Sequence, residues 1–282
     1  MTGTGTQTDP YLVDNIADFR SACSAAYTYV KVMADLDCNK EGYLKWETLS
    51  VTCREVDFNG YALINPLAAS GSIMFSSSVD SLFKNGQILN IYENGANMIS
   101  NRVTFVNMSV SAVLNKTTGI PFSSITAEKC NFVINNQNLN NYAWFAVAES
   151  KNGINSFKDC RFELNGNITA VTTSLFNTWN NAYTTNLIAD GCRFEGKIKL
   201  NTGTASNPYL LNGRIINSVV ALNTLECTGN NSVLANANNT NIYQSDISGL
   251  KNHGSALPCT SEQILDPDYL NSVGFTVAEV IL

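Results

Sequence analysis

The chain carries a short alternating pattern of apolar and polar residues that recurs three times in its middle. The pattern appears in AEKCNFVIN, FKDCRFELNG and ADGCRFEGKI, and each copy contains a cysteine, one further residue and a phenylalanine. Cys160 follows Cys130 by 30 residues, and Cys192 follows Cys160 by 32 residues. Alternation of this kind predicts β-strands. A strand that returns at a nearly fixed interval predicts a repeat architecture.

The segments between the copies favour a coil of short strands over a βαβ sheet. They are rich in Asn, Gly and Ser, and no long amphipathic helix fits between them. Asn tolerates positive φ better than most residues, so these segments suit the corners of a coil. We therefore expect a parallel β-helix with like side chains stacked inside it. The expected core ladder consists of Cys130, Phe132, Cys160, Phe162, Cys192 and Phe194.

Both ends of the chain are predicted to cap this coil. Asp14 or Asn15 can start a short helix that runs to about Ala25 and places apolar residues on one face. A coil has an open end with unpaired strand groups, and such a helix would cover it. We expect one domain, with the N-terminal cap at 1–26, the coils at 27–255 and the C-terminal cap at 256–282.

Composition and charge narrow the classes of partner. Apolar residues make up 44% of the chain, which is enough for a continuous core, and charged residues make up only 14%. The net charge is −6 and no run of Lys or Arg occurs, so we expect no binding to nucleic acid. No apolar run approaches the ~20 residues that cross a membrane, so we expect no membrane insertion. The polar start MTGTGTQTDP predicts no signal peptide.

The eight cysteines are predicted to be reduced core residues. Three of them belong to the repeat, where they fall beside the inward phenylalanines, and buried free Cys behaves as a small hydrophobe. Disulfides are the alternative, but they suit secreted proteins. Zinc ligand spacing is absent, and the acidic stretch 35–39 lacks the Gly and Glu positions of a calcium loop. We expect neither a metal nor a cofactor.

Two end regions carry a resemblance to a known class of module. The first comprises GTGTQTDPYLV, YVKVMADLDCN and VDFNGYALIN, and the second is SEQILDPDYLNSVGF at 261–275. These stretches resemble the opening and closing segments of right-handed β-helix modules in bacteriophage virion proteins, including tail and head fibres and tailspike-like proteins of the pectate-lyase-like superfamily. The resemblance implies an all-β fold: a single-stranded right-handed parallel β-helix with a short N-terminal capping helix and a C-terminal helical plug.

The same resemblance implies a setting and partners. It points to a structural or adhesive virion protein in the tail, the baseplate or a head fibre, made in the bacterial cytoplasm and bound to other virion proteins. A bacterial surface glycan is a second expected partner. Phage β-helices are often homotrimers, and the oligomeric state of this chain stays open. The alternatives are a carbohydrate-active depolymerase and a bacterial surface adhesin.

Charged residues in the second and third copies of the repeat are the candidates for catalysis. The inward position of Phe162 places Arg161 and Glu163 on the outside of the coil. Stacking of the next coil then brings Arg193 and Glu195 to about 5 Å from their counterparts. Two carboxylates ~5–5.5 Å apart match a retaining glycosidase. The alternative is a surface ladder in which each Glu pairs with an Arg of the neighbouring coil.

Aromatic residues are the candidates for ligand binding. If they face outward, they form a stripe suited to stacking on sugar rings or to a protein interface. The alternative is that they fill the core or lie under loops. The predicted stripe consists of Tyr142, Trp144, Trp179, Tyr183 and Tyr209. His253 is the single histidine, and no nucleophile motif accompanies it.

Overall fold

The protein is a parallel β-solenoid in a computed structural model that describes most of the chain. The described residues are 1–45, 47–67, 74–93, 99–114, 122–136, 155–168, 187–203, 209–211, 214–229, 233–235, 242–244 and 256–275. Short strands dominate them, and helices occur only near the two ends of this described part.

The elements follow one another in a simple order. The first half contains β1 (Tyr11–Val13), α1 (Ile16–Ser24), β2 (Tyr29–Val32), β3 (Leu36–Asp37), β4 (Leu49–Val51), β5 (Glu55–Asp57), β6 (Ala62–Ile64), β7 (Phe75–Ser77), β8 (Ser81–Glu93), β9 (Ile99–Leu114), β10 (Phe122–Glu128) and β11 (Asn131–Asn136). The second half contains β12 (Asn155–Lys158), β13 (Arg161–Ile168), β14 (Leu187–Asp190), β15 (Arg193–Gly203), β16 (Tyr209–Leu211), β17 (Arg214–Ile216), β18 (Val219–Gly229), β19 (Val233–Ala235), β20 (Ile242–Gln244), β21 (Leu257–Cys259), a 3-10 turn (Gln263–Leu265) and α2 (Pro267–Ser272).

Three ladders of stacked strands form the walls of the solenoid. The first ladder runs through β1, β2, β5, β8, β9, β10, β12, β14 and β17. The second ladder runs through β3, β6, β8, β9, β11, β13, β15, β18, β20 and β21. A short third ladder joins β4 and β7 to the first residues of β9 and β10. All these pairings are parallel, so the predicted parallel coil is confirmed.

The corner between the first and second ladders is built from residues with a left-handed backbone. Their φ angles lie between 49° and 64°. They are Asn59, Asn85, Asn107, Lys129, Asp159, Gly191 and Asn217. The amide of Asn217 donates to Asp190 Oδ1 at 2.9 Å, which links neighbouring coils along this column. Asn is common here because its short polar side chain tolerates this conformation, as the sequence predicts.

The core is a column of side chains from the inward faces of the first two ladders. On the second ladder the rings of Phe132 and Phe162 stack with centroids 5.3 Å apart, and those of Phe162 and Phe194 stack at 4.9 Å. On the first ladder Phe157 lies between Ala127 and Ala189 in the neighbouring coils. These small neighbours leave room for Phe157 to meet Phe162 edge-on at 5.2 Å.

Helix α1 covers the N-terminal end of the third ladder. The side chain of Asn15 caps it by accepting a hydrogen bond from the backbone of Asp18 at 2.9 Å. Its buried residues are Ile16, Phe19, Ala22 and Cys23. At the other end of the helix the carbonyl of Cys23 accepts from the backbone N–H of Thr52, just after β4. The predicted N-terminal capping helix is therefore present.

The C-terminal segment also contains the predicted short helix, but its apolar side packs on an outer surface of the solenoid. Ile264, Leu270 and Phe275 form a buried cluster with Val219 and Ala221. The residue between those two, Val220, belongs to the main core. Alternation along β18 therefore places Val219 and Ala221 outward. Two apolar side chains on the outside need a cover, and the C-terminal segment supplies it.

Candidate functional site

The outward face of the second ladder carries the charged residues of the repeat in two columns. The pairing of β13 with β15 sets Arg161 opposite Arg193 and Glu163 opposite Glu195. The spacing between stacked strands is about 4.8 Å, so like charges lie one above the other. Like charges in this arrangement repel each other unless the side chains cross to opposite partners.

The side chains do cross, and they form a connected network. Arg161 donates from Nε to Glu195 Oε1 at 2.5 Å and from Nη2 to Glu163 Oε2 at 3.0 Å. Arg193 donates from Nε to Glu195 Oε2 at 2.7 Å. All four side chains are partly buried, and that of Arg193 is only 14% exposed. The two columns are thereby joined into one unit, which we call the Arg–Glu network.

Neutral polar groups extend the Arg–Glu network along the same face. Arg161 Nη1 donates to Asn131 Oδ1 at 3.1 Å, and the amide of Asn131 reaches Ser109 Oγ in the preceding coil at 3.4 Å. On the other column Asn165 Nδ2 donates to Glu163 Oε1 at 3.1 Å. At the far end Arg193 Nη1 donates to the carbonyl of Ile264 at 3.2 Å, which ties the C-terminal segment to the face.

The geometry of the carboxylates favours a structural role over proton transfer. A glycosidase pair needs one carboxyl group free to donate a proton to the leaving group and one free to attack. Both oxygens of Glu195 instead accept from guanidinium groups, and both oxygens of Glu163 accept from Arg161 or Asn165. The network therefore holds adjacent coils together through charge-assisted hydrogen bonds.

The predicted core ladder lies inside the solenoid. Cys130, Cys160 and Cys192 each follow a left-handed corner residue and are at most 2% exposed. Their thiols are free and reach backbone carbonyls, as in the contact of Cys160 Sγ with Lys158 O at 3.2 Å. Burial, followed by the hydrogen bond to Cys160, raises the pKa of the Cys130 thiol. Burial likewise raises the pKa of the Cys160 thiol, so Cys130 and Cys160 are held in the inert thiol form.

The predicted aromatic stripe falls largely outside the described residues. Tyr142, Trp144, Trp179 and Tyr183 lie beyond the described ranges, and so does His253. Tyr209 opens β16, which pairs in parallel with β19 in a separate two-stranded sheet. The stripe therefore stays a prediction.

A pocket that sequence patterns do not indicate lies at another corner of the solenoid. It has a volume of about 360 Å³ and is lined by Tyr27, Arg54, Ser78, Val79, Asp80 and Arg102. The hydrogen bond from Arg102 lowers the pKa of Asp80. The lining residues come from four separate coils and share no sequence motif. The two arginines are the only sequence signal that could have indicated this pocket.

Comparisons with known protein families and with curated proteins do not assign the chain to a family. No family model matches the chain, and no curated protein matches it either. Within the described residues, no cluster of three or more His, Cys, Asp or Glu side chains could hold a metal ion. Neither of the helices that the structure describes is long and apolar enough to cross a membrane.

Proposed function

We propose that the protein is a structural or adhesive component of a bacteriophage virion, in which the solenoid serves as a rigid rod. The setting comes from the resemblance of both end regions to phage β-helix modules. The expected partners are other virion proteins and a bacterial surface glycan. The proposed oligomer is a homotrimer, the state in which phage β-helices often occur.

One observation supports the structural role above all: every oxygen of the candidate carboxylates already accepts a hydrogen bond, and the bond from Arg161 to Glu195 crosses between coils. Arg161 alone contacts Asn131, Glu163 and Glu195, which come from three successive coils. Cross-links of this kind resist sliding and bending between neighbouring strands. A stiff scaffold suits a protein that holds binding surfaces at a fixed distance or bears mechanical force.

The virion assignment is tested by composition of purified particles. Phage particles released by a bacterium that encodes this chain are banded on a density gradient, and their proteins are quantified by mass spectrometry. We expect the chain at a fixed ratio to capsid or tail proteins. Recovery of the chain only in the soluble lysate, with intact particles free of it, would contradict the proposal.

A second candidate function is a polysaccharide depolymerase, and one observation favours it. Glu163 and Glu195 lie directly opposite each other on adjacent strands, and the usual strand spacing of about 4.8 Å is close to the ~5–5.5 Å between the carboxyl groups of a retaining pair. Both side chains keep some exposure, 32% and 19% respectively. A substrate able to displace the arginines would meet two adjacent carboxylates.

Catalysis is tested with matched glutamine variants. The protein is incubated with capsule or cell-wall glycan, and new reducing or unsaturated ends are measured. A depolymerase would lose its activity in Glu163→Gln and Glu195→Gln. It would keep its activity in Glu55→Gln, whose carboxylate pairs with Lys84 at 2.8 Å on the first ladder. Absence of product from the unmodified protein favours the structural role.

A further inference from the structure

The pocket at the start of the first ladder has the features of a small-molecule site. Tyr27 lies two residues before β2, Arg54 precedes β5, and Asp80 precedes β8. Arg102 precedes Val103, which pairs with the first residue of β8. Tyr27, Asp80 and Arg102 therefore occupy the same position of their coils, and Arg54 lies one residue further along its own coil. Its volume of about 360 Å³ suits a ligand of one or two rings.

The floor of the pocket is fixed by hydrogen bonds beneath it. The hydroxyl of Ser77 reaches Val51 O at 3.0 Å, and that of Ser81 reaches Cys53 O at 2.8 Å. The two hydroxyls also contact each other at 3.0 Å. Both serines are buried, so the turn 78–80 between them is held against the preceding coil. A preorganised floor reduces the entropy lost when a ligand binds.

Two lining residues adopt a backbone conformation that does not suit them. Tyr27 has φ 61° and Arg102 has φ 54°. Among the residues that the structure describes, six of the ten non-glycine residues with positive φ are Asn, the residue that tolerates this region best. A bulky Tyr and an Arg cost more in that region, and such strain concentrates at functional sites. The strain at these two corners therefore suggests that the side chains of Tyr27 and Arg102 are needed in the pocket.

The charges of the pocket leave one cation without an acidic partner. Arg102 donates from Nε to Asp80 Oδ1 at 2.8 Å and from Nη1 to Ser78 O at 3.2 Å. Arg54 stacks with its Cζ 5.3 Å from the centroid of the Tyr27 ring. It makes no ion pair and donates no side-chain hydrogen bond to any residue that the structure describes. The pocket is thus left with one positive charge, in a protein whose net charge is −6.

We propose that this pocket binds a singly charged carboxylate carried on a six-membered ring. The planar fork of Arg54 matches the two oxygens of a carboxylate, and one negative charge neutralises the site. Tyr27 is 60% exposed, and its side chain offers both ring surface and a hydroxyl group to the ring of the ligand. This site is separate from the Arg–Glu network, and it stands whether or not the protein is part of a virion.

The ligand class is tested by titration with four probes. The backbone and Arg side-chain resonances of ¹⁵N-labelled protein are followed by NMR during addition of glucuronate, benzoate, glucose or inorganic phosphate. We expect saturable shifts at the Arg54 Nε–H with glucuronate, with benzoate or with both, and none with glucose. Preference for glucuronate identifies a sugar acid, and preference for benzoate identifies an aromatic acid. Equal response to glucose, tighter binding of phosphate, or no saturation overturns the proposal.

Matched variants separate this pocket from general charge effects. Arg54→Ala should weaken binding of the preferred carboxylate by about tenfold, since a charged hydrogen-bond pair is removed. Arg54→Lys keeps the charge but loses the fork, so it should weaken binding less. Tyr27→Asn removes the ring and introduces a residue that tolerates positive φ, so the corner itself should stay folded. Arg214→Ala, an exposed position on β17, is the control and should bind normally. Equal affinity of Arg54→Ala and the unmodified protein, both with normal melting temperatures, overturns the proposal.

Discussion

Adjacent residues at the corner of the first two ladders perform opposite tasks. Asp159 has φ 52° and faces the outside, while the next residue, Cys160, is buried with its thiol against backbone carbonyls. The carbonyl of Cys160 then accepts from the backbone of Arg193 in the next coil at 2.8 Å. A left-handed residue followed by a small buried one turns the chain without leaving a strand carbonyl unpaired.

Replacing Lys129 by Asn should stabilise the corner. Lys129 has φ 54° in a column where Asn107 occupies the preceding coil. Lysine is strained in this conformation and Asn is much less so, while the ion pair with Glu128 is exposed and contributes little. We expect Lys129→Asn to raise the free energy of unfolding by about 0.5–1 kcal/mol in urea titrations. Lys158→Asn, on strand β12, is the control; a gain of equal size there would contradict this account.

The buried thiols should make the protein less stable at alkaline pH. Burial raises the pKa of Cys130 in the folded state, whereas the thiol of the unfolded chain ionises from about pH 9 upward. Stability from this group is therefore fully present below that pH and is lost as pH rises. Between pH 7 and pH 10 each such thiol should cost about 1.4 kcal/mol. Cys130→Ala should show a shallower fall in unfolding free energy over this range, and an unchanged slope would contradict the assignment.

At the scale of single strands, the outward face of the second ladder changes character from coil to coil. One column carries Ser109 on β9, Asn131 on β11, Arg on β13 and β15, and Val on β18, and the other carries Ser111, Val133, Glu on β13 and β15, and Ala. The charged pairs meet each other, and the apolar pair meets the C-terminal segment.

Glu195 should contribute more to stability than Glu163. Glu195 accepts from both Arg161 and Arg193 and is 19% exposed, whereas Glu163 accepts from Arg161 and Asn165 and is 32% exposed. Glu195→Gln removes the acidic partner that Arg193 has among the described residues and leaves Arg161 with Glu163 alone, so it should cost about 1–2 kcal/mol. Glu163→Gln should cost less than about 1 kcal/mol. Guanidinium unfolding at low added salt measures both, and the reverse order would contradict the network geometry.

The repeat in the sequence was enough to predict the strands, the inward columns and the neighbours on the second ladder. A period of two fixes which side chains point inward, and a nearly constant interval fixes which residues stack. These rules give Glu163 opposite Glu195. They do not give contacts made at corners, where side-chain direction depends on local φ and ψ. The pocket between Arg54 and Arg102 and the bond from Arg193 to Ile264 O are of that kind.

On the scale of the whole molecule, the described residues bury two separate apolar clusters. The main core runs from α1 to the late coils, and the second cluster joins the C-terminal segment to the outside of β18. In a solenoid each coil contacts mainly its neighbours, so a local change spreads over few coils. The outer cluster involves few residues and should open more readily than the main core.

Two truncations of apolar side chains should therefore unfold different parts of the protein. Phe162→Ala removes the ring between Phe132 and Phe194 and should cost about 3–5 kcal/mol. Hydrogen exchange should then speed up in β11, β13 and β15 and much less in β2 and β5. Leu270→Ala opens the outer cluster alone. It should speed exchange in 260–275 and leave the core strands protected.

The comparison of these two variants decides whether the C-terminal segment is part of the rod or a cover on its surface. A cover can detach while the coils stay folded, because Val220 remains in the main core when Val219 loses its partner. Among the side-chain hydrogen bonds described for this face, the one from Arg193 to Ile264 O must also break before the segment detaches. If Leu270→Ala instead speeds exchange along the whole first ladder, the two clusters unfold together and the segment is an integral end cap.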